Sequence, residues 1–428
     1  MNLAEKDKKL IWHPYTQMKT AEIHPVIVRG AGEMLWDENG KSYIDAVSSW
    51  WVNVHGHAHP HIAEKVSTQL RTLEHVIFAG FTHPLAIELA ERLLQRLGGE
   101  QEKIFFSDNG STAVEVALKM SFQYWLNKGI QKTKIIAFRE AYHGDTFGAM
   151  SVSGRGAFTQ SFNPFLFEVV FIDAPIKGKE ESSFNQLKSA IENRPSEIAA
   201  FIFEPLVQGA SGMLMYQANE LDKLIAFCKQ KDVLTIADEV MTGFGRTGKF
   251  FASNHCAQHP DIYCLSKGLT GGTMAMGITS CNRKLFDAFL SEDQSKTFFH
   301  GHSFTANPLG CAAALASMDL FDQASTWENV SRISARHAVF LKQIELLPQI
   351  KEVRQMGTIL AIELQNNEQS SYFNTIRDTA YSFFLKRGII LRPLGNVIYI
   401  LPPYCIKDEN LDYIYLSISE FLQSVVSI

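Results

Sequence analysis

The chain has 428 residues, 46% of them hydrophobic and 20% charged, with a formal net charge of -5. That length exceeds one small core and points to about two or three domains, and the mild charge, without long runs of one sign, argues against a nucleic-acid or membrane partner. No apolar run approaches the ~20 residues that span a bilayer, MNLAEKDKKLIWHP lacks the apolar stretch of a signal peptide, and six scattered cysteines without a C-x-x-C pair suit reduced thiols in a cytoplasmic protein.

In chain order, residues 26–46 read as a β-meander, with Asn39-Gly40 as its turn because both residues tolerate positive φ. The stretch SSWWVNVHGHAHPH follows at 48–61. As extended chain it sends Trp50 and Trp51 to opposite sides. The same periodicity would align His55, His57, His59 and His61 like metal ligands, but Gly56 and Pro60 interrupt the strand, so no coordinated ladder is expected. Pro60 suits a first helical turn, and a second helix runs over about 84–97.

Short apolar strands then alternate with helices, at 103–107, 134–138, 169–172, 198–203, 233–237 and 261–266, with a helix at 112–126. Near-continuous apolar strands are those covered on both faces, so the fold class is α/β with a mostly parallel central sheet flanked by helices. After about residue 310 the pattern changes to a long helix, a strand at 359–364, a helix at 374–387, the runs IILRPL and NVIYILP, and a last helix. The expected division is a large α/β domain over 60–314 and a small α+β domain from 1–59 and 315–428.

Ligands of open α/β sheets bind at the carboxyl ends of the strands, so polar clusters there carry the functional signal. In SDNGST, Gly110 and Ser111 offer amides and a hydroxyl at a helix start, where a phosphate is stabilised. The competing reading is a plain cap, since Ser111 and Glu115 nearly form a capping box. In VLTIADEV, Asp238 and Glu239 end a strand, and a buried carboxylate there needs a cationic partner such as a protonated ring nitrogen. In LSKG, Lys267 alone would be an ordinary solvated lysine. A partly buried lysine, however, has a lowered pKa and forms Schiff bases. Phosphate loop, aspartate and lysine together are the anchors of pyridoxal 5'-phosphate. Tyr142 and His143 would cover one face of its ring, and Val240, on the same side of an extended chain as Asp238, would press on the other.

The stretches FFSDNGSTAVEVALK, AYHGDT, EPLVQGASGM, DEVMTGFGRTG, LSKGLTGG and GHSFTANPLGC occur in this order over most of the chain. With them the sequence resembles the class III aminotransferases of fold type I. The resemblance implies a homodimer whose active sites are built from both subunits and a ping-pong reaction. Lys267 would carry the cofactor and move the proton, Asp238 would hold the ring nitrogen, and Gly110 and Ser111 the phosphate. Tyr142 would take part in catalysis. Ser303, where threonine is more usual, would reach the phosphate from the neighbouring subunit, and Gly301 would belong to the substrate pocket. Glu204, with Gln208, would tune the cofactor's 3'-oxygen or a nearby arginine.

His13-Pro14-Tyr15-Thr16-Gln17, Ser48-Ser49-Trp50-Trp51, Leu391-Arg392-Pro393-Leu394 and Asn396-Val397-Ile398-Tyr399 are similar to the biotin-synthesis branch of that family. Its members move an amino group from S-adenosylmethionine to 8-amino-7-oxononanoate. That resemblance implies that Arg392 pairs with the acceptor carboxylate and that Tyr399 lines the pocket. Tyr15, Tyr142 and the tryptophans would meet the donor's adenine and sulfonium, with Trp50 the expected pocket residue and Trp51 the packed one. Arg246 would bind the donor α-carboxylate. The alternatives are a lysine-dependent relative, another ω-aminotransferase, or a zinc enzyme using the His-rich stretch; His255, Cys256, His259 and Cys264 also offer zinc-type ligands, but their spacing fits no structural zinc pattern. Residues 243–248 fit G-x-G-x-x-G, but no apolar-periodic helix follows, so a dinucleotide site is not expected.

Overall fold

In the computed structural model, which describes residues 2–365 and 376–425, the chain opens with α1 (Leu3–Leu10), capped reciprocally by Asn2 and Glu5. The expected meander follows as β1 (Ile27–Ala31), β2 (Met34–Asp37) and β3 (Ser42–Asp45), all antiparallel. Its turn places Gly40 at φ +83°, the conformation that glycine adopts without a Cβ clash. The tryptophan segment is not extended. Ser48–Trp51 form a helical turn, α2, in which Ser48, Ser49 and Trp51 have φ of +51°, +60° and +65°. α3 (Pro60–Thr72) and α4 (Pro84–Leu94) each start on a proline, whose missing N–H is no loss in a first turn.

Seven strands form the central sheet: β4 (Gln101–Ser107), β5 (Lys134–Phe138), β6 (Val169–Ile172), β7 (Ile198–Phe203), and, after the small hairpin of β8 (Val207–Gln208) and β9 (Leu214–Met215), β10 (Leu234–Asp238), β11 (Ile262–Leu265) and β12 (Gly277–Asn282). Their order is β4-β12-β11-β10-β7-β5-β6, parallel from β11 to β6, with β12 antiparallel to both of its neighbours. Successive residues serve opposite faces: Ile135 and Ala137 join one apolar cluster, Ile136 and Phe138 the other. Each fully buried Ile or Phe contributes roughly 1.5–3 kcal/mol. Around the sheet run α5 (Gly110–Asn127), α6 (Phe147–Val152), α7 (Glu180–Glu192), α8 (Ala218–Gln230) and α9 (Arg283–Asp287). Strand β12 has no apolar run to announce it. Its Thr279 and Ser280 are buried because their hydroxyls donate to Ala113 O and Gln101 Oε1.

The long helix expected after residue 310 is two helices, α10 (Pro308–Phe321) and α11 (Ala324–Ile344), broken at Asp322-Gln323. β13 (Ile350–Met356), β14 (Ile359–Leu364) and β16 (Val397–Ile400) form a second sheet, while β15 (Ile389–Ile390) pairs parallel with β3. The C-terminal segment thereby extends the N-terminal meander. Helices α12 (Ile376–Lys386) and α13 (Asp408–Val425) complete the chain; positions 374 and 375 of the expected helix lie outside the described residues. Among the described residues no helix is long and apolar enough to cross a membrane.

Candidate active site

The ends of β4, β10 and β11 open on a cavity of about 730 Å³. Lys267 enters it from a short 3-10 turn, with φ at +48°, a strained value for a residue with a Cβ. Its ammonium lies 4.5 Å from the centroid of the Trp51 ring. Burial pushes the lysine pKa down to about 8; Asp238 and Glu204 oppose the shift and Arg246 adds to it. At pH 7 about a tenth of such a lysine is neutral, against roughly one in three thousand at the ordinary value.

Asp238 ends β10 with its side chain buried. Oδ2 lies 2.7 Å from His143 Nδ1, and Oδ1 accepts the Val240 N–H at 3.1 Å. The chain turns immediately after Asp238, so Val240 reaches the cavity from a turn and not from extended chain. It packs against Gly110, where an added Cβ would sit 2.7 Å from Val240 Cγ1. The cap of α5 is made by Asn109 and Thr112, each bonding the other's backbone, and Ser111 and Glu115 take no part in it. The amides of Gly110 and Ser111 are the first two of the helix and have no intrahelical acceptor.

Glu204 lines the same cavity, its carboxylate accepting the N–H groups of Tyr142 at 3.1 Å and Gly209 at 3.0 Å. Burial pushes its pKa up to about 7. Gln208 lies outside the lining, fully buried, with no hydrogen bond to its side-chain amide. Glu239 faces away from the cavity lining and accepts from Thr242, Ala252 and Ser253, holding the next loop together.

The opposite wall is aromatic. The Tyr15 hydroxyl donates to Asp145 and lies 3.2 Å from that of Tyr142, whose pKa burial raises. Tyr15 meets Trp50 edge-on at 5.5 Å, and Phe158 meets both Tyr15 and Tyr142 edge-on. The Arg392 guanidinium sits 4.7 Å above the Trp50 ring. Trp51 Nε1 donates to the Tyr399 hydroxyl at 3.0 Å. Both tryptophans line the cavity, contrary to the expectation of one pocket and one packed residue, because the left-handed residues of α2 break the alternation a strand would impose.

Other expected residues stand elsewhere. Arg246 is buried outside the cavity lining, donating to Pro402 O at 2.9 Å and Trp51 O at 3.4 Å. Gly301 and Ser303 lie on an exposed loop and do not line the cavity of their own chain. The histidines diverge: His55 to Ser317, His57 to Asp45, His61 to Asp319. His59 precedes α3 with Nδ1 buried and unpaired. Among the described residues no group of three or more His, Cys, Asp or Glu is placed to hold a metal ion. Sequence reasoning does not single out Phe158, Met241 or Thr273, which also line the cavity. Phe158 offers one faint signal, an aromatic residue within the loop GRGAFTQ.

Pyridoxal phosphate fits this arrangement. Its phosphate matches the open amides of α5, its ring nitrogen the buried Asp238, and its aldehyde the half-buried, partly neutral Lys267. Gly110 leaves the room that a Cβ would fill.

Fold and cavity together define a pyridoxal-phosphate-dependent transaminase, and the chain belongs to the class III aminotransferases: the family described as "Aminotransferase class-III" matches residues 15–422. The adenosylmethionine-8-amino-7-oxononanoate aminotransferase of Synechococcus elongatus is 44% identical over 423 residues, covering 97% of this chain and 99% of its own. The crystal structure of the Methanocaldococcus jannaschii enzyme of the same name superposes with a TM-score of 0.93 at 36% identity, covering 99% of this chain and 98% of that one. An ω-transaminase from Pseudomonas jessenii, solved in complex with PMP, superposes with a TM-score of 0.92 at 26% identity, covering 100% and 99%.

Proposed function

We propose that this transaminase serves biotin synthesis, moving the amino group of S-adenosylmethionine to 8-amino-7-oxononanoate to give 7,8-diaminononanoate. One observation carries the reading beyond the family: a single cavity joins an aromatic wall of Tyr15, Trp50, Tyr142 and Phe158 to an arginine, Arg392. An adenine ring and a sulfonium gain from aromatic faces and edges. A long oxo acid needs apolar walls and a cation at its far end. The names of the Synechococcus and Methanocaldococcus relatives support the same substrates.

When bound, pyridoxal phosphate supplies an aldehyde for the amine and a ring that accepts the electron pair released at the substrate carbon. In this reading Lys267 holds the aldehyde between turnovers, then takes the substrate proton and returns it. Its lowered pKa suits both tasks near neutral pH. Asp238 keeps a proton on the ring nitrogen, and His143 fixes the orientation of that carboxylate. Gly110 and Ser111 hold the phosphate, Val240 bears on the ring, and Glu204 holds the backbone of Tyr142 beside it. Trp51 and Tyr399, bonded to each other, wall the lysine from water. Arg246, braced by carbonyls behind Trp51, tunes Lys267 by its charge, and reaches a donor carboxylate only if a side chain moves. Gly301 and Ser303 serve the site of a second copy, in a homodimer of chains that each comprise a 60–314 domain and a smaller one from both ends.

The test is direct. Pure enzyme is incubated with 8-amino-7-oxononanoate and either S-adenosylmethionine or lysine, and diamine is measured. Diamine with S-adenosylmethionine is expected; diamine with lysine alone would overturn the donor, and none with either would overturn the pathway.

A further inference from the structure

Ser111 and Glu115 do not cap their own helix, and both side chains reach the same neighbouring segment. Ser111 Oγ accepts the Asp145 N–H at 3.2 Å. Glu115 Oε1 accepts from Thr146 Oγ1 at 2.5 Å, Gly148 N at 2.7 Å and Ala149 N at 3.2 Å. Residues four apart share a helix face, so the two form one row along α5. The segment they grip carries Tyr142, His143, Gly144 and Asp145 in the cavity wall and then starts α6. Thr146 makes no side-chain cap of its own for α6, so the first amides of that helix depend on a carboxylate lent by another helix.

Two glycines make the grip possible. Gly144, at φ +135°, would bring a Cβ to 2.1 Å from Ser111 Oγ. A Cβ on Gly148 would lie 2.1 Å from Glu115 Oε2. Both loop and helix are therefore shaped for this contact. Ser111 also lines the cavity, and its hydroxyl oxygen accepts from Asp145 while its own proton stays available to an anion.

We propose that Ser111 and Glu115 latch the 142–149 segment to the helix that seats the cofactor phosphate, so that cofactor binding and placement of Tyr142 and Asp145 are one event. Glu115 is a positioning residue in this arrangement: its nearest partners are loop amides and a threonine hydroxyl. The inference rests on the reading that Gly110 and Ser111 hold the phosphate, and is independent of which amine is the donor.

The test compares the full-length wild type with Glu115→Ala and Glu115→Gln. Affinity for pyridoxal phosphate is read by absorbance titration of cofactor-free enzyme, and hydrogen exchange of the 110–112 and 142–150 amides is followed with and without cofactor. In the wild type, cofactor should slow exchange across 144–150. Glu115→Ala should lose that slowing and bind cofactor about tenfold more weakly, the loss expected for hydrogen bonds to a charged group. Glu115→Gln, which keeps an acceptor oxygen, should recover most of both. Gly148→Ala, pressing on the carboxylate from the loop side, should reproduce Glu115→Ala and serves if that variant folds poorly. Wild-type affinity and exchange in Glu115→Ala would overturn the latch, as would a Glu115→Gln variant as impaired as the alanine. A wild type that binds cofactor without any slowing at 110–112 would instead overturn the phosphate seat.

Discussion

The cofactor end and the substrate end of the cavity are built differently. Asp238 ends a strand of the central sheet, and Lys267, Gly110 and Ser111 follow strands of the same sheet within a turn or so, with close neighbours around them. Tyr15, Trp50, Phe158 and Arg392 come from loops and turns, and Tyr399 from β16 of the second sheet, spread from residue 15 to residue 399 and brought together by aromatic edges, one hydrogen bond and one stacked guanidinium. The rigid sheet suits chemistry common to all transaminases. The wall assembled from distant segments is where one member can differ from another without disturbing that chemistry.

The contrast is broken most severely at the lysine. Lys267→Ala should lower turnover by at least about 10³-fold and remove the visible absorbance near ~420 nm of the lysine-bound cofactor. Asp238→Asn should lower kcat by roughly 10²–10³-fold with little change in KM, because it removes a charge aimed at the reacting ring. The same variant tests the lysine pKa. Only the neutral amine attacks the aldehyde, so cofactor association should accelerate with rising pH and level off above about 8. Asp238 raises the Lys267 pKa, so Asp238→Asn should move that midpoint lower.

Substitutions in the other wall should change KM before kcat. Arg392→Ala should raise KM for the oxo acid by about 10- to 100-fold, the worth of a charge-assisted hydrogen bond, and affect the donor less. Trp50→Ala should raise donor KM by up to about tenfold. Because Arg392 stacks on Trp50, the double variant should cost less than the product of the singles. Equal effects of all four variants on kcat would erase the distinction between the two ends.

The cofactor end was legible because its residues sit in local motifs after apolar strands, where type and position point to one chemistry. β12 was not, because its buried positions are threonine and serine satisfied by hydrogen bonds. The break between α10 and α11 falls at Asp322-Gln323 without proline or glycine to mark it. The tryptophans were legible as aromatic surface but not in orientation: α2 places Ser48, Ser49 and Trp51 at positive φ, which no glycine signals. Phe158 could not be read, because only the folded loop brings it beside Tyr15 and Tyr142. Ser111 and Glu115 matched a capping pattern by spacing, yet their partners lie on another segment.

If one cavity serves both substrates in turn, each half of the reaction should run without the other substrate. Cofactor-loaded enzyme is mixed with S-adenosylmethionine alone, the visible absorbance is followed, and 8-amino-7-oxononanoate is then added. The band should be lost with donor alone and return with the oxo acid, with lysine producing neither change. A band untouched by S-adenosylmethionine until both substrates are present, or one discharged by lysine instead, would contradict that use of the cavity.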